Sequence, residues 1–187
     1  DRNGRSCAKD VRLEIEKLNK ENIQGLIFDL RNNSGGSLPD VVDIGGYFIS
    51  RGPIVQVKQP VFPPQLLADN DSRVHYSGPL IILINSLSAS ASEILAAAMQ
   101  DYQRAIIIGT SSSFGKGTVQ RYFDLDPIAP QGFASYLPLG ALKITTQKFY
   151  RINGGTTQLI GVKPDILLPD AYTYMEIGEK ENTHALP

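Results

Sequence analysis

The chain has 187 residues, 42% hydrophobic and 20% charged, with a formal net charge of −1. That is enough apolar material for one domain with a buried core, and a near-neutral balance without lysine-rich runs argues against nucleic acid or an anionic membrane as partner. The single cysteine, Cys7, cannot form an internal disulfide, and apolar runs such as Pro79 to Ile84 are far too short to span a bilayer.

The opening "DRNGRSCAKD" is no signal peptide and carries no initiator methionine, and the closing "EIGEKENTHALP" ends in polar residues. The expectation is a piece of a longer protein, with localisation signals outside it. Ala8, Val11, Ile15 and Leu18 stand at helical spacing among charged residues, which predicts an amphipathic helix over 8–18. "GLIFDL" (25–30) reads as a buried strand, "RNNSGGS" as a glycine-rich turn, and Ser37 as the cap of a helix running to about Ile49. "PIVQVK" is a strand. The proline-rich, polar stretch Gln59–Gly78 reads as a long, mobile surface loop. "PLIILIN" is a second buried strand, "SASEILAAAMQD" a helix and "RAIIIG" a third buried strand. "TSSSFGKG" is a loop and "TVQRYFDL" a strand. Residues 140–162 alternate well enough to predict a two-stranded hairpin turning at Asn153-Gly154-Gly155, and "KPDILLPD" closes the core. Strand and helix alternate as far as residue 110. The fold class is therefore α/β, with parallel strands and flanking helices plus a β-rich C-terminal extension.

Chemistry concentrates in three places. "NSLSASASE" sets serines 86, 88, 90 and 92 where an apolar strand gives way to a helix. That puts a hydroxyl at a strand's carboxyl end, near the partially positive start of a helix. Serines also serve as plain helix caps there, so the comb alone does not select catalysis. A serine nucleophile needs a base. His75 lies in the polar loop and His184 in the trailing end, so a Ser-His-Asp triad is poorly supported. The remaining candidate is Lys116, between two glycines and beside Phe114 just before a strand. Burial there would disfavour its ammonium and suit it to act as a base. Thr118 and Gln120, two residues apart on the following strand, are expected to share a face. The third place is "DLRNNSGGS". Gly35 and Gly36, after a strand and before a helix, could offer backbone N–H groups to an oxyanion. Neither a phosphate loop nor a dinucleotide fingerprint is present, and no Cys/His cluster suggests a metal.

"DLRNNSGG", "SASASEILAAAMQDYQRA", "FGKGTVQ" and "QKFYRINGGTTQLIGVKPDI", in that order, resemble the C-terminal processing, or tail-specific, serine peptidases, in particular their bacterial periplasmic subgroup. The resemblance runs from Asn3 to Pro187. It implies a crotonase- or Clp-protease-like core with a Ser-Lys dyad of Ser90 and Lys116, and Gln120 helping to position the lysine. It implies an oxyanion hole from the backbone amides of Ala91 and of Gly36 or Gly35, with Asp101 as a candidate supporting residue. No metal or organic cofactor is expected. The implied partners are proteins with apolar, unstructured C-termini, a PDZ domain upstream in the same polypeptide and a substrate-delivering adaptor. The implied location is the periplasm or the periplasmic side of the inner membrane. Lys116 lies 26 residues beyond Ser90, one more than the family pattern, with the added residue in "GTSSSF". Residues 1–187 thus read as a peptidase core. Two other readings stand beside it: a non-catalytic binding module on the same fold, and a crotonase-type acyl-CoA enzyme, which would need a catalytic carboxylate at its oxyanion site.

Overall fold

A computed structural model describes residues 5–187; residues 1–4, where the resemblance begins, lie outside the described residues. The elements run α1 (Cys7–Lys20), β1 (Leu26–Asp29), α2 (Leu38–Gly46), β2 (Gly52–Lys58), β3 (Gln65–Asp69), β4 (Leu80–Ile84), α3 (Ala91–Asp101), β5 (Ile106–Gly109), β6 (Thr118–Asp124), β7 (Ala141–Tyr150) and β8 (Ile166–Leu167). They form two four-stranded sheets. One has the order β1-β4-β5-β8 and is parallel throughout. The other has the order β3-β2-β7-β6 and is antiparallel.

The apolar runs dictate the first sheet. Ile82 and Ile107 are wholly buried at its centre, on the face that Leu80 and Ile84 share by two-residue alternation. The other face carries Ile27, Ile106 and Ile166, all exposed among the described residues. Ser37 caps α2, its Oγ accepting from the Asp40 N–H. Helix α2 packs on α3, and both contact β2 of the second sheet. Every residue of α3 from Ser92 to Met99 is buried. A helix packed on all sides needs small residues, which Ala96, Ala97 and Ala98 supply.

Three expectations change. The stretch 59–78 is not loop throughout: Gln65–Asp69 pairs antiparallel with β2 as an edge strand. The expected hairpin over 140–162 is only half formed. The turn exists, with the Arg151 N–H donating to the Gly155 carbonyl at 2.8 Å, but residues 156–162 form no strand. Strand β7 already has β2 and β6 on its two sides, so the returning segment has no edge to join. Finally, β2 and β3 come from before α3, so the β-rich part is an antiparallel sheet built from both halves of the chain, not a C-terminal extension alone.

Candidate active site

The four serines part company once their partners are known. Ser88 Oγ is fully buried, donates to the Leu30 carbonyl at 2.8 Å and accepts from the Asn85 N–H at 2.9 Å. Ser92 Oγ donates to the Asn33 carbonyl at 3.0 Å. Ser86 Oγ is buried with no partner. Ser88 and Ser92 therefore stitch the end of β1 and its glycine turn to the start of α3. Ser90 differs in two respects. It lines a cavity of about 270 Å³, and its backbone is at φ 56°, ψ −114°. A non-glycine residue at positive φ is strained, and a strained strand-to-helix turn is how a nucleophile is thrust out of a backbone.

The glycine turn lies directly against this serine. A Cβ on Gly35 would sit 2.7 Å from the Ala89 carbonyl oxygen, 2.8 Å from Ser90 Cβ and 2.9 Å from the Ala91 nitrogen, and its φ is +102°. Only glycine fits there. The Gly35 N–H is engaged by Asn33 Oδ1 at 2.9 Å. Gly36 lines the same cavity, and a Cβ on it would meet open space. Ala91 is the first residue of α3, where amides have no intrahelical acceptor. Among the described residues that line the cavity, the N–H of Gly36 has no protein acceptor, whereas that of Gly35 does.

Lys116 lines the same cavity. Burial, followed by the positive charge of Lys143, lowers its pKa from the ordinary value. Both effects favour the neutral amine. Among the described residues no hydrogen bond joins Ser90 Oγ to Lys116 Nζ, though both residues line the one cavity. The lysine's backbone is fixed from both sides. Its carbonyl accepts from Thr157 Oγ1 at 3.1 Å, the Gly117 N–H donates to Gln158 Oε1 at 2.7 Å, and the Leu159 N–H donates to the Gly115 carbonyl at 2.8 Å. These braces come from the segment expected to be the hairpin's second strand.

Gln120 also lines the cavity, as does its neighbour Val119, while Thr118 is buried. The pairing of β6 with β7 slips here: Val119 stands across from Gln147 and Gln120 from Thr145, so Thr146 is an extra residue and β7 carries the bulge. Asp101 lies outside the cavity. It stands at the far end of α3, about 15 Å from Ser90 at 1.5 Å per residue, where it pairs with Arg151 at 2.6 Å. His75 packs edge-on against Tyr47, and neither it nor exposed His184 lines the site.

Sequence reasoning missed Glu93. Its side chain is wholly buried and joins the backbones of Ser90 and Lys116. Oε2 accepts from the N–H of Ser90 at 2.8 Å and of Lys116 at 3.0 Å, while Oε1 accepts from Ser113 Oγ at 2.6 Å and the Gly115 N–H at 2.7 Å. Burial pushes the carboxyl up to about 7, against the pull of these four donors. The signal was present: Ser90-x-x-Glu93 is a capping-box pattern. Tyr122 and Lys143, at the cavity mouth, carried no sequence signal.

Comparison with known proteins agrees with this geometry. Residues 3–168 match peptidase family S41. The chain is 47% identical over 178 residues to the tail-specific protease of Haemophilus influenzae, covering 95% of this chain and 25% of that protein. It is 37% identical over 188 residues to the carboxy-terminal-processing protease of Bartonella bacilliformis, covering 94% of this chain and 39% of that one. Among solved structures, the photosystem II D1 C-terminal processing protease superposes with a TM-score of 0.72 at 28% identity, over 86% of this chain and 39% of its own. Mature CPAF shares the fold, with a TM-score of 0.70 at 18% identity over 90% of this chain and 43% of its own. The chain thus spans a quarter to two-fifths of these relatives. With its parallel sheet, its serine at a strained helix start and its glycine turn, it belongs to peptidase family S41.

Proposed function

We propose that residues 1–187 are the catalytic core of a serine endopeptidase working through a Ser90–Lys116 dyad. Neutral Lys116 takes the proton of Ser90 Oγ as that oxygen attacks the scissile carbonyl carbon. The resulting oxyanion is held by the N–H groups of Ala91 and Gly36, at the positive end of α3. The Lys116 ammonium then protonates the leaving amine, and the first product departs. Water attacks the acyl-enzyme with Lys116 again as base, and Ser90 regains its proton as the second product leaves. Gln120 positions the lysine. Asp101 acts at a distance, by holding α3 to Arg151. No step requires a metal or cofactor.

The observation that carries this reading is convergence: Ser90, Ala91, Gly36 and Lys116 all line one cavity, with Ser90 and Lys116 bound through their backbones to Glu93. The names of the relatives, tail-specific and carboxy-terminal-processing protease, extend the proposal to cleavage near C-terminal tails; the motif resemblance adds that these tails are apolar and unstructured, captured by a PDZ domain in the same polypeptide and presented by an adaptor. The proposed location is the periplasm or the periplasmic side of the inner membrane. Among the described residues no helix is long and apolar enough to cross a membrane. The test is cleavage of an unfolded protein by the natural polypeptide, Ser90→Ala and Lys116→Arg. Both variants should fold and lose nearly all turnover, because arginine keeps the charge but stays protonated. Near-normal turnover in Lys116→Arg would exclude the dyad.

A further inference from the structure

A second lysine shares the cavity. Lys143 lies on β7 directly across from Tyr122 of β6, and its Nζ stands 5.4 Å from the centre of the Tyr122 ring. Both residues line the space that contains Ser90 and Lys116. The ring face attracts an ammonium, so the long side chain is kept at the mouth instead of roaming in solvent. Among the described residues no carboxylate lines this cavity. The charged groups that act on Lys116 are Lys143 from β7, Glu179 from the helical turn at 179–181 and Glu93 from α3. Glu93 directs both carboxylate oxygens at other donors: Ser113 and the backbone of Ser90, Gly115 and Lys116. Among the described residues Lys143 is the one like charge acting on Lys116.

We propose that Lys143 is an electrostatic tuning residue for the reaction: its ammonium, held over Tyr122 at the cavity mouth, keeps Lys116 in the neutral, proton-accepting form. The inference rests on the Ser90–Lys116 reading. A cation beside a second amine raises the free energy of that amine's protonated state, so more Lys116 is ready to accept the Ser90 proton at a given pH. It acts again after proton transfer. Lys116 is then an ammonium facing another ammonium, which hastens delivery of the proton to the leaving amine. Lys143 touches no reacting atom, so its effect should appear in the pH profile and not as loss of the catalytic machinery.

The experiment is the pH profile of kcat/KM for an unstructured peptide, with the natural full-length polypeptide and its variants. Lys143→Gln should move the midpoint of the acid limb upward by about half a pH unit, roughly a threefold lower rate on that limb, with the alkaline plateau retained. Lys143→Arg should keep the parent midpoint, and Lys143→Glu should move it further up. Tyr122→Leu, which frees the ammonium, should give part of the Lys143→Gln shift. Because Lys143 is exposed, raising the salt concentration should move the parent midpoint toward that of Lys143→Gln and leave the variant nearly unmoved. Coincident acid limbs for the parent and Lys143→Gln, or a difference indifferent to salt, would overturn the proposal. Lys116→Ala separates the two levels. If it is inactive while Lys143→Gln is unshifted, tuning alone fails; if it retains a normal profile, the dyad itself fails.

Discussion

At the scale of single residues, conformation and chemistry sit on the same atom set. Ser90 holds a positive φ that glycine would accept without strain. Ser90→Gly should therefore raise Tm by about 2 °C while abolishing cleavage, a pairing that thermal melts and a peptide assay can check together. Ser88→Ala should do the reverse. It leaves the Leu30 carbonyl and Asn85 N–H without their partner, costing about 1–3 kcal/mol, yet each folded molecule should turn over normally. The two glycines divide in the same way. Gly35→Ala would drive a methyl group into Ser90 and the Ala91 amide, and kcat/KM should fall at least a hundredfold. Gly36→Ala meets open space and keeps its N–H, so its kcat/KM should stay within about threefold of the parent. The sequence offered Ser90 and the glycine pair as candidates because small residues at a strand-to-helix turn are a local signal, and Lys116 because two glycines flank it just before a strand. It could not rank Gly35 against Gly36, since that depends on Asn33 Oδ1 reaching one amide and not the other.

Between elements, the site is held by contacts remote from it in sequence. Arg151, just past β7, forks onto Asp101 and also reaches Gln100 Oε1 at 3.0 Å. This ties the end of the helix that Ser90 opens to the sheet whose edge strand follows Lys116. The pair is mostly buried, with side-chain exposures of 18% and 9%, so removing one partner strands a charge. Asp101→Ala should cost roughly 3 kcal/mol in urea unfolding. Arg151→Lys should lose much of the same stability, because an ammonium cannot reproduce the two-pronged contact. Asp101 was visible in the sequence as a helix-end carboxylate; its partner 50 residues away was not. The half-formed hairpin failed for a similar reason. Alternation in residues 156–162 looked like a strand, but Thr157, Gln158 and Leu159 spend their polar groups bracing Gly115, Lys116 and Gly117. The bulge at Thr146 of β7 is equally silent in the sequence, since one extra residue in a strand leaves its composition unchanged.

For the whole molecule, the α/β class followed from the order of apolar runs. The way the second sheet draws strands from both halves did not, because β3 is short, half-exposed and set among prolines. The ionisation of Glu93 couples the global fold to pH. Its folded value of about 7 lies above the ordinary 4.5, so the folded state binds this proton more tightly than the unfolded chain. The associated stability is fully present below pH 4.5 and is lost as pH rises through about 7, on the order of 3 kcal/mol across that window. Glu93→Gln cannot titrate, and its amide N–H groups would face donors. It should be less stable at every pH, and its unfolding free energy between pH 4.5 and 7 should lack the parent's decline. Equal slopes for the two proteins would place the titration elsewhere.

The shared acceptor also fixes how the site exchanges hydrogen with solvent. Amides on loops ordinarily open one at a time and exchange quickly. Those of Ser90, Gly115 and Lys116 all end on one buried carboxylate, so no one of them can open without disturbing the charge that holds the other two. In deuterium-exchange experiments the three should be protected like the core strands β4 and β5. They should be slower than neighbouring Ser111 and Ser112, and should give way together in a single cooperative event that spans two stretches of chain distant in sequence.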